Sequence, residues 1–302
     1  MNDSSQHFLP QAREGVRRLG GSQIREVANA GMAQGDVLAF WFGEPDEVTP
    51  RFIRDAGIAA LQNGATFYTH NLGIAPLRDE IARYLTRLHA PRQFTADRVL
   101  VTSSGMQSLM LAEQALIAPG DRVVVVTPVW PNLVEGPRIL GADVHTVPLH
   151  YSAAGWQMDL QRVLDALTPA TRVLLVNSPN NPTGWTLNAA EQQALLTHCR
   201  RQGTWIVADD VYERLYYAPP WHAPSFLALA EPGDRVISTN SFSKSWCMTG
   251  WRLGWIVAPL LVVAAVVLIW LGLLKSMVIC ISSAPRIPRT MFLDYVLKMN
   301  IL

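Results

Sequence analysis

The chain has 302 residues with nearly balanced charge, 25 Lys+Arg against 24 Asp+Glu, for a formal net charge of +1. That length holds one large domain with a smaller part, or two domains. The basic residues are scattered rather than clustered with aromatics, so nothing points to nucleic acid as a partner. Cys199, Cys247 and Cys280 have neither paired nor metal-binding spacing, so no metal is expected and a reduced, intracellular compartment fits them. Met1 to Gln6 carries no basic-then-apolar signal pattern.

In chain order, the stretch to about Ala39 reads as helical and polar, and Phe40 to Asp46 as an extended turn. Leu77 to Leu88 has apolar residues at Leu77, Ile81, Tyr84, Leu85 and Leu88, which is helical spacing. A strand is predicted over Arg98 to Val101, a helix over Gln107 to Ile117, and strands over Arg122 to Val126 and Arg172 to Val176. A helix over Ala189 to Cys199 and strands over Trp205 to Ala208 and Val236 to Thr239 follow. These strands are valine- and isoleucine-rich and apolar nearly throughout, as in sheets buried on both faces. Their alternation with helices implies crossover units and a mostly parallel sheet. From Leu253 to Leu274 no side chain is charged.

Ligands in such sheets sit at the carboxyl ends of the strands, and that is where the polar motifs fall. Thr102-Ser103-Ser104-Gly105-Met106-Gln107 opens a helix after a strand, and the free amides of a helix N-terminus suit a phosphate. By itself Ser104 reads as an N-cap. Pro128-Val129-Trp130-Pro131-Asn132 ends the next strand; a lone tryptophan reads first as core. Asn177-Ser178-Pro179-Asn180-Asn181-Pro182-Thr183-Gly184 has turn chemistry. Asp209-Asp210-Val211-Tyr212 places two carboxylates at a strand end, either of which reads as a helix cap or as a functional acid. Ser241-Phe242-Ser243-Lys244-Ser245 follows the last strand, with Arg252 eight positions beyond the lysine. A lysine amine forms a Schiff base with a carbonyl when its pKa is low enough to leave it partly neutral, and Arg252 with the serines suits an anionic phosphate.

Together these segments resemble the class I/II, fold-type I aminotransferases that depend on pyridoxal phosphate (PLP). The resemblance runs in family order from about Leu38 to Ala258. It implies a three-layer α/β/α PLP-transferase large domain with a mostly parallel sheet. It further implies that Lys244 carries the cofactor as a Schiff base, and the family's Asp-x-x-Tyr spacing selects Asp209 over Asp210 as partner of the pyridinium nitrogen. Tyr212 and Asn181 would then hydrogen-bond the phenolate oxygen. Ser104, Gly105 and Met106 would form the phosphate cup, although the family often has two glycines where this chain has Ser104-Gly105. Ser241 and Arg252 would complete the phosphate site, and Trp130 would cover a ring face. Tyr68 matches a tyrosine that reaches the phosphate of a neighbouring subunit, implying a homodimer, and Gly43 matches a glycine that approaches the substrate carboxylate. The implied reaction moves an amino group between an amino acid and a 2-oxo acid.

The implied domains are an arm and small-domain part over residues 1–45, a PLP-binding large domain over 46–258, and a divergent apolar tail over 259–302, expected to be helical. Most of the small domain is missing, and the family's arginine that clamps the substrate carboxylate has no match; Arg286 and Arg289 lie in an unrelated context. The resemblance thus describes a C-terminally truncated or altered member, expected in the cytoplasm. The apolar run over 256–274 is also long enough for a membrane contact, since a span takes roughly 20 residues. Two other readings stand beside transamination: a PLP-dependent lyase or decarboxylase on the same framework, and a catalytically incomplete, membrane-associated PLP-binding protein.

Overall fold

The computed structural model of the chain describes residues 11–21 and 23–265. Its strands are β1 (Val99–Thr102), β2 (Arg122–Thr127), β3 (Asp143–Pro148), β4 (His150–Ser152), β5 (Gly155–Gln157), β6 (Thr171–Asn177), β7 (Trp205–Asp209), β8 (Val236–Ser241) and β9 (Gly254–Val257). Seven of them form one sheet in the order β1-β9-β8-β7-β6-β2-β3, and β4 and β5 form a small hairpin. Pairing is parallel from β8 through β3, and β9 runs antiparallel to both of its neighbours, β8 and β1.

The central strands β2, β6 and β7 are largely apolar because the two faces of the sheet feed two cores. Val124, Val126, Leu174, Val176, Ile206 and Ala208 face one way and pack against Leu195, Leu196 and Cys199 of the helix Ala189–Gln202 and Val163 of the helix Leu160–Ala166. Val123, Val125, Val173, Leu175, Val207 and Ile237 face the other way, against Leu109, Ala112 and Leu116 of the helix Gly105–Leu116 and against Leu133. This period-two division gives the expected three-layer α/β/α architecture. A third cluster seats Ile81, Ala82 and Leu85 of the helix Ala75–Leu88 on Val99, Trp255 and Val257 at the β1–β9 edge.

Several elements differ from expectation. Among the described residues, the helical stretch before Ala39 consists of two helices, Glu14–Arg17 and Gln23–Gly31; residues 1–10 of that expectation lie outside the described residues. The strand β3, the hairpin β4–β5 and the helices Arg51–Gln62, Asn132–Ile139 and Leu160–Ala166 are additions to the elements read from sequence. Of the two readings of the apolar run, a core strand over Leu253 to Ala258 or a membrane contact over 256–274, its start takes the first as β9: Ile256 pairs with Leu100 and Thr239 in the interior of the sheet. After Pro259 the chain is helical over 260–265. Among the described residues no helix is long and apolar enough to cross a membrane, and the rest of the expected span, 266–274, lies outside them.

Candidate active site

The strands β1, β2, β6, β7 and β8 all point their carboxyl ends toward one cleft of about 310 Å3. Its lining includes Gly43, Gly105, Met106, Trp130, Asn181, Asp209, Tyr212, Ser241, Lys244 and Arg252, residues that lie far apart in sequence.

Lys244 sits on a four-residue helix, Phe242–Ser245, launched directly from β8 and capped by the Ser241 hydroxyl, which accepts from the Ser243 amide at 3.1 Å. Its Nζ donates to the Gly43 carbonyl and lies 6.0 Å from the centre of the Tyr212 ring. Burial lowers the Lys244 pKa from the usual lysine range; Glu44 opposes this shift and Arg252 reinforces it. The amine is thereby biased toward its neutral, nucleophilic form.

The opposite rim is built from β6 and β7. Asp209 ends β7, and its carboxylate accepts from the Val211 amide at 3.3 Å. Burial pushes the carboxyl up to about 7, against the Val211 hydrogen bond and with help from the neighbouring Asp210 charge. A cation placed beside Asp209 would reverse that shift. Asp210 turns away from the role left open to it, because it is buried and accepts from the hydroxyls of Ser238 at 2.7 Å and Ser225 at 3.0 Å. Tyr212 stands over the cleft, and its hydroxyl accepts from Asn181 Nδ2 at 3.3 Å. Burial raises the Tyr212 pKa, as does Asp209, while the Asn181 bond opposes them.

The anion-binding corner lies where the helix Gly105–Leu116 begins. Ser104 is its N-cap, accepting from the Gln107 amide at 3.1 Å, and adopts φ 153° and ψ 162°, a region favoured by glycine. The corner is tight: a Cβ on Gly105 would meet Ser241 Cβ at 3.0 Å, and one on Gly254 would meet the backbone of Ser104 and Gly105 at 2.6 Å. Arg252 lines the cleft and donates to the Thr249 carbonyl at 2.8 Å. Trp130 packs partly on the core while presenting itself to the cleft.

Two expected site residues are not in the lining. Ser104 contributes as the cap just behind it, and Tyr68 stands fully exposed on a loop of this single chain. Conversely, the cleft includes Asn177, Thr249, Leu109, Ile24, Trp41, Phe42 and Glu44, to which the motifs gave no role. Asn177 has a visible signal, being a polar residue that closes an apolar strand beside the Asn-Pro-Thr-Gly turn.

The sequence profile of the family described as "Aminotransferase class I and II" matches residues 33–297. The chain belongs to that family. The match extends past Ala258, where the motif-by-motif resemblance ends. A probable aspartate/prephenate aminotransferase of Thermus aquaticus is 36% identical over 233 residues, covering 76% of this chain and 58% of the relative. An aspartate aminotransferase of Thermotoga maritima is 34% identical, covering 76% of this chain and 60% of the relative. The chain therefore spans about 60% of the length of these curated relatives. The crystal structure of an aspartate aminotransferase from Thermotoga maritima superposes with a TM-score of 0.78 at 33% identity, over 84% of this chain and 68% of that one.

The family depends on PLP, and the residues present fit it. The amine of Lys244 is partly desolvated, Asp209 is a carboxylate whose charge burial disfavours unless a cation lies beside it, and Gly105 and Met106 bring the N-terminus of a helix to the cleft.

Proposed function

We propose that the chain is the cofactor-binding part of an aminotransferase that exchanges an amino group between an amino acid and a 2-oxo acid. The observation that carries this reading is the convergence of Lys244, Asp209, Tyr212, Asn181, Trp130 and Arg252 on one cleft. PLP, when bound, supplies a carbonyl that receives the amino group and a ring that withdraws electrons from the substrate. Lys244 supplies the amine that holds the cofactor and, once released, a base that moves a proton at the substrate α-carbon. Asp209 keeps a proton on the pyridine nitrogen. Tyr212 and Asn181 donate hydrogen bonds to the phenolate oxygen. Ser104, Gly105 and Met106 offer backbone amides to the phosphate, with Ser241 and Arg252 completing its shell. Trp130 covers the ring, and Gly43 leaves backbone open to the substrate carboxylate.

The same reading gives the active protein as a homodimer, with Tyr68 serving the neighbouring subunit's phosphate. It places the protein in the cytoplasm and divides it into an arm over 1–45, a large domain over 46–258 and a tail beyond. The exposure of Tyr68 and its neighbour Phe67 supports the dimer, since a subunit contact would cover both.

Borohydride reduction of the PLP-incubated protein tests the assignment. The cofactor should be fixed on the peptide containing Lys244, and Lys244→Ala should abolish both labelling and half-transamination of an amino donor such as aspartate. Label on Lys275 or Lys298 would overturn it.

A further inference from the structure

Asn177 closes β6, is only 2% exposed, and pairs in register with Asp209 at the end of β7. Its side chain makes two hydrogen bonds in opposite directions. Oδ1 accepts from the Asn181 amide at 2.7 Å, and Nδ2 donates to the Asp209 carbonyl at 3.1 Å. Neither bond belongs to the sheet ladder. Each fixes the backbone of a residue whose side chain faces the cleft: Asn181 toward Tyr212, and Asp209 toward the place of the ring nitrogen.

The rest of the loop is braced independently. Asn180 Oδ1 accepts from the Thr183 amide at 3.1 Å and the Thr183 hydroxyl at 2.7 Å, and the Ser178 hydroxyl accepts from the Leu187 amide at 2.9 Å. The Ser178 amide also donates to the Asp209 carbonyl at 3.3 Å, which ties the start of the loop to β7, but the Asn181 amide itself is held by Asn177 Oδ1. A primary amide is the chemistry this requires, since it carries a donor and an acceptor on one rigid plane. In a buried position both bonds are held away from competing water.

We propose that Asn177 is a positioning residue that locks the phenolate side of the cleft, Asn181, to the pyridine side, Asp209, so that the two groups present themselves at a fixed separation. This rests on the cofactor reading given above. Asn177 touches no reacting atom; it acts through Asn181 and Asp209.

Two variants separate its bonds. Asn177→Leu keeps similar bulk and removes both. Asn177→Asp keeps the acceptor for the Asn181 amide and removes the donor to Asp209. The first readout needs no cofactor: hydrogen exchange at the Asn181 amide in PLP-free protein. It should accelerate by about tenfold or more in Asn177→Leu and stay near the parent rate in Asn177→Asp. The second uses PLP-loaded protein: the pH midpoint of the visible absorption change. Loss of an aligned donor to the phenolate should move it upward by about one pH unit in Asn177→Leu. A double variant Asn177→Leu/Asn181→Ala should move no further than Asn181→Ala alone, because the first residue acts through the second.

Unchanged Asn181 exchange in Asn177→Leu, or additive midpoint shifts in the double variant, overturns the proposal. A residue that merely supported the fold would lower stability without this non-additivity. If Asn177→Leu does not fold, Asn177→Asp decides: an Asn181 amide exchanging at unstructured-peptide rates refutes the link, and a protected one supports it. Failure of every form to bind PLP would refute the proposed function while leaving the exchange result to judge the link.

Discussion

The floor of the cleft and the N-terminal flank beside it are built on opposite principles. On the floor, polar groups are buried and paired: Asp210 holds Ser225 and Ser238, and Asn177 holds Asn181 and Asp209. In the flank, the helix Arg51–Gln62 has no buried side chain and no side-chain cap. Phe40, Val48, Phe52, Leu61 and Phe67 stand open to solvent. The flank is tied down by a few contacts, chiefly Trp251 Nε1 donating to Thr49 Oγ1 at 3.0 Å and the Trp251 ring lying against Gly57. Among the described residues, the pairs named on the floor form within one chain, whereas the flank presents an exposed apolar face.

The sharpest break in this contrast should come from Gly254. Valine there meets backbone rather than flexible side chain, so Gly254→Val should cost about 3 kcal/mol and disorganise the phosphate corner. Gly233, where an added Cβ meets nothing within 4 Å, is the control. Urea midpoints of Gly254→Val and Gly233→Ala that coincide would show that the floor tolerates crowding after all.

A smaller effect should come from Glu113, on the helix Gly105–Leu116 behind the floor, one of several described side chains with a buried polar atom that has no hydrogen-bond partner. It is fully buried, neither carboxylate oxygen has a hydrogen-bond partner, and burial pushes its pKa from 4.5 up to about 8. Between those values the native state binds more protons at this site than the unfolded state, so the Glu113 contribution makes stability fall as pH rises through the window and level off above about 8. Glu113→Gln removes that dependence. Denaturation at about pH 5 and about pH 8.5 should show the glutamine variant gaining on the parent by about 2 kcal/mol at the higher pH. A tenfold change in proton affinity is worth about 1.4 kcal/mol, and relaxation around the buried charge reduces the total. His89, which burial holds neutral with a pKa of about 4, is common to both proteins and cancels. Parallel pH profiles would mean that Glu113 finds a partner in solution.

The least effect on a single chain should come from the flank. Phe52 and Leu61 are 75% and 67% exposed, so Phe52→Ser/Leu61→Ser should change monomer stability by less than about 0.5 kcal/mol per site. Sedimentation of the same variant should instead show weakened self-association. A large loss of stability with unchanged association would place the packing of the flank within its own chain.

The same contrast explains what is legible in the sequence. The strands β2, β6, β7 and β8 are legible because both faces are buried, leaving continuous runs such as Val123–Val126. The motifs are legible because each follows such a run. The strand β3 is not, since it lies at an edge with most of its residues exposed, and neither is the helix Arg51–Gln62, which buries nothing. The apolar run beyond Leu253 reads two ways, as a last core strand over Leu253 to Ala258 or as the start of a lipid-like segment, because the two have the same composition; pairing with β1 and β8 makes Gly254–Val257 a strand. Asn177 lies inside a legible motif without announcing a role, because its importance is in a backbone it holds rather than in a side chain it offers.

The reversal of β9 sets a problem of reach. Gly254 lies at the cleft beside Ser241 and Thr102, and four residues later the chain has returned to the far end of the sheet, where Ala258 and Arg98 exchange hydrogen bonds. At about 3.3 Å per residue, that strand carries the chain about 13 Å away from the chemistry. The residues that follow the lysine motif, from Ile256 to Ala258, are thus carried away from the substrate side of the sheet.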